Sequence, residues 1–168
     1  MDAMPGLAPT CAEYATLSVA DAFNWNEAAA ELGDGSWYLV AFRSVRRAGC
    51  DEARLAEFDE RAHQEAARSP GFVHYFKGPS ATDGGCMSFC LWQSRDEARA
   101  AARQPAHQEA VGLLDEMYAT YTLEFLHVSR EAGGPLTFEV YRPPVQIVTE
   151  PDVPAPAPDL AIRPALAT

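Results

Sequence analysis

A chain of 168 residues, 48% hydrophobic and 22% charged, has the composition of one soluble globular domain with extensions. Thirteen Lys and Arg stand against 24 Asp and Glu, and the resulting net charge of −11 repels phosphate backbones and anionic lipid, which excludes nucleic acid as the natural partner. The longest apolar run, residues 37–42, falls far short of the ~20 residues of a membrane span, and the Met1-Asp2 start has no basic leader, so the expectation is a cytoplasmic protein with no membrane partner.

Residues 1–35 begin loosely and continue into an Ala- and Glu-rich stretch, residues 18–32. There Val19, Phe23 and Ala30 recur at helical spacing and Gly33 stands as a stop, which predicts one amphipathic helix. Residues 37–42 form a continuous aromatic and aliphatic run, short enough for a buried strand. Asp51 can cap a helix reaching about residue 68, with Leu55, Phe58, Ala62 and Ala66 as its apolar stripe, and Ser69-Pro70-Gly71 ends it. An aromatic strand over 72–76 and a second over 86–93 flank a hairpin loop over 80–85. The latter strand alternates Met87, Phe89 and Leu91 on one face with Cys86, Ser88, Cys90 and Trp92 on the other.

Ser94 and Glu97 have capping-box spacing, so a helix starts near residue 95. It breaks at Gln104-Pro105 and restarts with Pro105 in its first turn and His107, Val111, Leu114 and Tyr118 on one stripe. Residues 121–128 read as a fourth strand. The order βαββαβ is the ferredoxin-like α+β arrangement, an antiparallel sheet with both helices on one face. Trp37, Tyr38, Tyr75, Phe76, Cys90 and Trp92 put apolar content on both faces, and a second copy of the sheet is the simplest cover for the face the helices leave open. Residues 136–141 alternate as an edge strand, and Arg142 onward is a proline-rich tail. The expected organisation is thus an N-terminal extension with one helix (1–35), the ferredoxin-like domain (36–130) and a C-terminal extension (131–168).

The 37–42 strand, the 71–76 strand and the run Phe89-Cys90-Leu91-Trp92-Gln93-Ser94, followed by Glu97-Ala98 and Pro105-Ala106-His107, resemble the dimeric α+β barrel superfamily. Within it the chain is most similar to antibiotic biosynthesis monooxygenase-like proteins over residues 36–130. The resemblance implies a homodimer of face-to-face sheets, with a substrate pocket between each sheet and its helices. It also implies oxidation of an aromatic or polyketide-like metabolite without flavin or metal. Such chemistry needs a base, a donor to an oxyanion and a dry cavity.

The candidate bases are His107, on the sheet-facing stripe, and His74, between the aromatic neighbours Phe72 and Phe76 on one strand face. Trp92 supplies an indole N–H donor and shares a strand face with Ser88 and Cys90. Tyr75 and Tyr121 are candidate substrate contacts, and Arg43 at a strand end could neutralise a carboxylate. His63 and the acidic positions Asp59 and Glu60 read as helix surface, and His127 has no partner in sequence. Cys11, Cys50, Cys86 and Cys90 contain no Cys-x-x-Cys pair and read as free thiols, and the scattered histidines suggest no preformed metal site. No cofactor is expected from this pattern. Haem bound by His74 or His107 is one alternative; a cyclase or isomerase on the same fold and a non-catalytic binding dimer are others.

Overall fold

The computed structural model describes residues 3–30, 32–81 and 84–149. After a 3-10 turn (Tyr14–Thr16) come α1 (Val19–Ala22), α2 (Trp25–Ala28), β1 (Gly35–Arg46), α3 (Glu52–Ala67), β2 (Phe72–Phe76) and β3 (Gly85–Trp92). Then follow α4 (Arg95–Ala101), α5 (Pro105–Val111), α6 (Leu114–Met117), β4 (Tyr118–Arg130) and β5 (Thr137–Thr149). The strands form one antiparallel sheet in the order β2-β3-β1-β4-β5, the ferredoxin-like order with a fifth strand added beside β4. The helix starts follow their local chemistry. Asp51 accepts from the Arg54 N–H at 2.9 Å, Ser94 accepts from the Glu97 N–H at 3.3 Å while donating to the Glu97 carboxylate, and Pro105 opens α5.

The single N-terminal helix expected over residues 18–32 is instead two one-turn helices separated by an extended Phe23 (φ −132°, ψ 158°). Phe23 bridges to Pro9, and the Asn24 side chain accepts from the Ala8 N–H at 2.7 Å and donates to the Gly6 carbonyl at 3.1 Å. An asparagine that finds backbone partners off the helix axis competes with helix continuation, and here it ties the turn to the preceding segment.

This folded N-terminal segment covers the sheet face for which a second copy was expected. Leu39 and Ala41 of β1, Met87, Phe89 and Leu91 of β3, and Leu126 and Val128 of β4 are buried under Met4, Tyr14, Val19, Phe23 and Trp25 of the same chain. Phe23 meets Phe76 and Phe89 edge-on at centroid distances of 4.9 and 5.3 Å, and Trp25 lies 5.1 Å from Phe89 and 5.0 Å from Phe138. Polar anchors fix the cover. The Trp25 indole donates to Val19 O at 2.8 Å, and the Tyr14 hydroxyl donates to Pro79 O at 2.6 Å. Arg130 donates to Ala29 O at 2.7 Å. Arg43, paired with Glu124, also donates to the carbonyls of Ala15 and Leu17.

Two further expectations change. A register shift between Phe72 and His74 turns Phe72 toward the helices while Val73, His74 and Phe76 face the N-terminal cover, so Phe72 and His74 do not share a face. The edge strand is also longer than expected. Residues 142–149 continue β5, and Pro143 and Pro144 sit at an irregularity of this edge strand, between the Arg142–Phe125 and Val145–Leu123 pairs, where the ladder does not need both of their missing N–H groups. The remaining proline-rich residues, 151–168, lie outside the described residues.

Candidate functional site

On the opposite face α3 stands away from the sheet. None of its residues is fully buried, and a cavity of about 640 Å³ separates the helices from the strands. Strand alternation sets the floor: Tyr38, Val40, Phe42 and Ser44 from β1, Cys86, Ser88, Cys90 and Trp92 from β3, Tyr121, Leu123 and Phe125 from β4, and Tyr75 from β2. The roof includes Leu55, Phe58, Asp59, Ala62, His63 and Ala66 of α3, with His107 from α5. Mixed apolar walls with a few convergent polar groups are what a small-molecule site requires.

The polar groups form a network around Asp59. Its carboxylate accepts from the Tyr75 hydroxyl at 2.8 Å and pairs with Lys77 Nζ at 2.6 Å. The His63 ring lies 4.7 Å from the Tyr75 ring, centroid to centroid, and Tyr118 and Tyr121 meet edge-on at 5.0 Å. Burial, reinforced by the Asp59 charge, raises Tyr75 well above the ordinary tyrosine value, and burial raises Tyr121 likewise. Tyr118 is pushed up to about 12 by burial, and so is the Cys90 thiol. His107 moves the other way. Burial lowers it below 6.5 against the opposing pull of Glu65, whose carboxylate also accepts the His107 backbone N–H at 3.1 Å. At neutral pH the phenols are therefore protonated donors, Cys90 is an inert thiol and His107 is a neutral proton acceptor.

His107, Trp92, Ser88, Cys90, Tyr75 and Tyr121 all line this one cavity. Trp92 is buried edge-on against Phe72 at 5.4 Å, and the Ser88 oxygen accepts from the Gly78 N–H at 3.1 Å. His74 and Arg43 do not join them. His74 is buried on the other face, 6.0 Å from the Phe89 ring, because simple strand alternation sets it opposite the pocket-facing Tyr75, and Arg43 is spent on the N-terminal cover. Asp59, His63 and Tyr38 line the pocket although sequence reasoning left Asp59 and His63 on the surface. Positions 55, 59, 62, 63 and 66 fill a helix stripe wider than the narrow one first drawn, and that width was the available signal. His127 is exposed on β4. Among the described residues no group of three or more His, Cys, Asp or Glu could hold a metal ion.

The molecule is a ferredoxin-like α+β domain, one face sealed by its own N-terminal segment and the other enclosing a phenol-rich pocket. The PB2B2.08-like family matches residues 1–139, and the chain belongs to that family. It is 33% identical over 105 residues to UPF0643 protein PB2B2.08 of Schizosaccharomyces pombe, covering 59% of this chain and 48% of that protein, so the chain spans about half the length of this relative. Among solved structures, Rv0793 from Mycobacterium tuberculosis is similar at 20% identity and a TM-score of 0.50, covering 57% of this chain and 98% of that one. SnoaB, a cofactor-independent oxygenase from Streptomyces nogalater, is similar at 21% identity and a TM-score of 0.44, covering 59% of this chain and 95% of that one. The likeness to Rv0793 agrees with the fold described above; neither likeness carries an activity to this chain.

Proposed function

We propose that the pocket receives a planar hydroxylated aromatic or polyketide-like metabolite and that the chain oxidises it as a cofactor-independent monooxygenase. The observation that carries this reading is one cavity of about 640 Å³ faced by a neutral imidazole, His107, and by the protonated phenols Tyr75, Tyr118 and Tyr121. His107 takes the proton of an acidic phenol or enol, the Tyr118 and Tyr121 hydroxyls hold the resulting oxyanion while Tyr75 keeps its proton on Asp59, and the aromatic walls keep water out. The electron-rich anion then reacts with dioxygen. A ring CH₂ becomes C=O, one oxygen atom enters the product and the other leaves as water, so the substrate itself supplies all four electrons. Trp92 forms a wall against the ring system, and Ser88 and Cys90 shape the floor.

The same base and donors would serve a cyclase or isomerase, and the requirement for dioxygen separates the two. Of the histidines weighed as haem ligands only His107 faces the pocket, and a Soret shift on adding haem is the sign of that alternative. A face-to-face sheet dimer is not part of the proposal, because the face it would use is filled by residues of the same chain. The test is a panel of two- and three-ring phenols and their keto tautomers, followed by tryptophan quenching for binding and by product analysis under air and under nitrogen. Quenching with turnover only under air supports the proposal; equal turnover under nitrogen refutes it.

A further inference from the structure

The pocket holds positive charge that the chain as a whole does not predict. Arg46, Lys77, Arg95, Arg99 and Arg142 line it, against Glu52 and Asp59 as its only carboxylates among the described residues, in a chain with 13 basic and 24 acidic side chains. At one end the charges are matched: Arg46 lies 3.5 Å from Glu52 and Lys77 lies 2.6 Å from Asp59. At the other end they are not. Arg95, Arg99 and Arg142 have no carboxylate partner among the described residues, although acidic side chains outnumber basic ones nearly two to one. Two of these guanidinium groups are seated on rings instead. Arg142 lies 3.8 Å from the centroid of Phe125 and Arg95 lies 5.5 Å from that of Tyr141. Between them stands the buried Tyr38, whose ring is 6.4 Å from Phe125 and 5.5 Å from Tyr141. Arg95 spends part of its donor edge on the Tyr38 side chain, and a guanidinium seated on a ring face keeps its remaining N–H donors in the fork geometry that matches a planar carboxylate.

We infer that Arg95, Arg142 and Arg99 form an anion-binding end of the pocket that takes the carboxylate of the ligand, which makes the substrate an aromatic acid rather than a neutral phenol. The inference rests on the reading of the cavity as a ligand site and deepens it: the arginines fix one end of a planar molecule whose hydroxylated ring lies toward His107 and the tyrosines. Neutral aromatics then bind weakly and without orientation.

The test uses the full chain and two probes of nearly equal shape, 2-naphthoate and its methyl ester, titrated by tryptophan quenching. The acid binds about tenfold or more tightly than the ester, as expected when charge-assisted hydrogen bonds are added to equal apolar contact. The R95Q/R142Q variant, checked for folding by circular dichroism, loses that preference for the acid over the ester. R103Q, altered outside the pocket, keeps the preference. Equal binding of acid and ester by the unmodified chain, or an undiminished preference in R95Q/R142Q, overturns the anion site and leaves the pocket reading standing. Failure of both probes to bind overturns the pocket reading itself, and the inference falls with it.

Discussion

His107 is the residue on which the proposed chemistry turns, and its environment fixes a pH signature. Because burial lowers its pKa below 6.5, the neutral, proton-accepting form dominates at pH 7 and is lost only as pH falls. The acid limb of the kcat/KM profile is therefore expected below pH 6.5, with a plateau above it, and a limb centred at or above 6.5 speaks against His107 as the base. Gly78 shows how closely the N-terminal cover approaches the sheet. A Cβ at this position would lie 2.0 Å from Met87 O and 2.3 Å from the Tyr14 hydroxyl, so Gly78→Ala must displace backbone and is expected to cost about 2–3 kcal/mol in urea unfolding. His107 and Trp92 were legible in sequence because helix and strand periodicity determine which way they point. For β2, alternation already sets His74 and Tyr75 on opposite faces, but which face meets the pocket depends on pairing with β3, and no pattern in the sequence announces the bulge that moves Phe72 to the pocket side.

At the scale of elements, the N-terminal segment and the strand it covers behave as one unit. Tyr14 anchors the segment through Pro79 O, and burial pushes its hydroxyl up to about 12 from the ordinary 10. A folded-state pKa raised in this way contributes stability that is complete below pH 10 and is lost as pH climbs toward 12. The urea midpoint is expected to fall above pH 10, and to fall less steeply in Tyr14→Phe, which has no proton to lose there; identical slopes would remove Tyr14 from the account. The central strands and long helices were readable because periodicity, Asp51, Ser94 and Pro105 all point the same way. The N-terminal helix was misread because its Ala- and Glu-rich composition favours helix, while the tertiary demands of Phe23 and Asn24 break it. The length of β5 was hidden by Pro143 and Pro144, whose place on a sheet edge is a fact of topology and not of local sequence.

For the whole molecule, the two faces of the sheet divide the labour. One is filled by residues of the chain itself, and the other keeps a cavity open under α3 and α5. Removing residues 1–32 is expected to expose Leu39, Met87, Phe89 and Leu91 and to convert the protein into self-associating species that bind hydrophobic dye. A truncated chain that sediments as the intact one does would show that the cover is dispensable. The apolar character of both faces was visible in the sequence, but its explanation lay in thirty residues upstream that no periodicity linked to the sheet.

The most direct test of the account measures dioxygen uptake alongside substrate loss, in an oxygen electrode, for the full chain and for His107→Gln on a hydroxylated aromatic acid. The account predicts one dioxygen consumed per substrate molecule and a fall in kcat of about 10² or more in the variant. Substrate turnover without oxygen uptake, or a variant as fast as the parent, would contradict it.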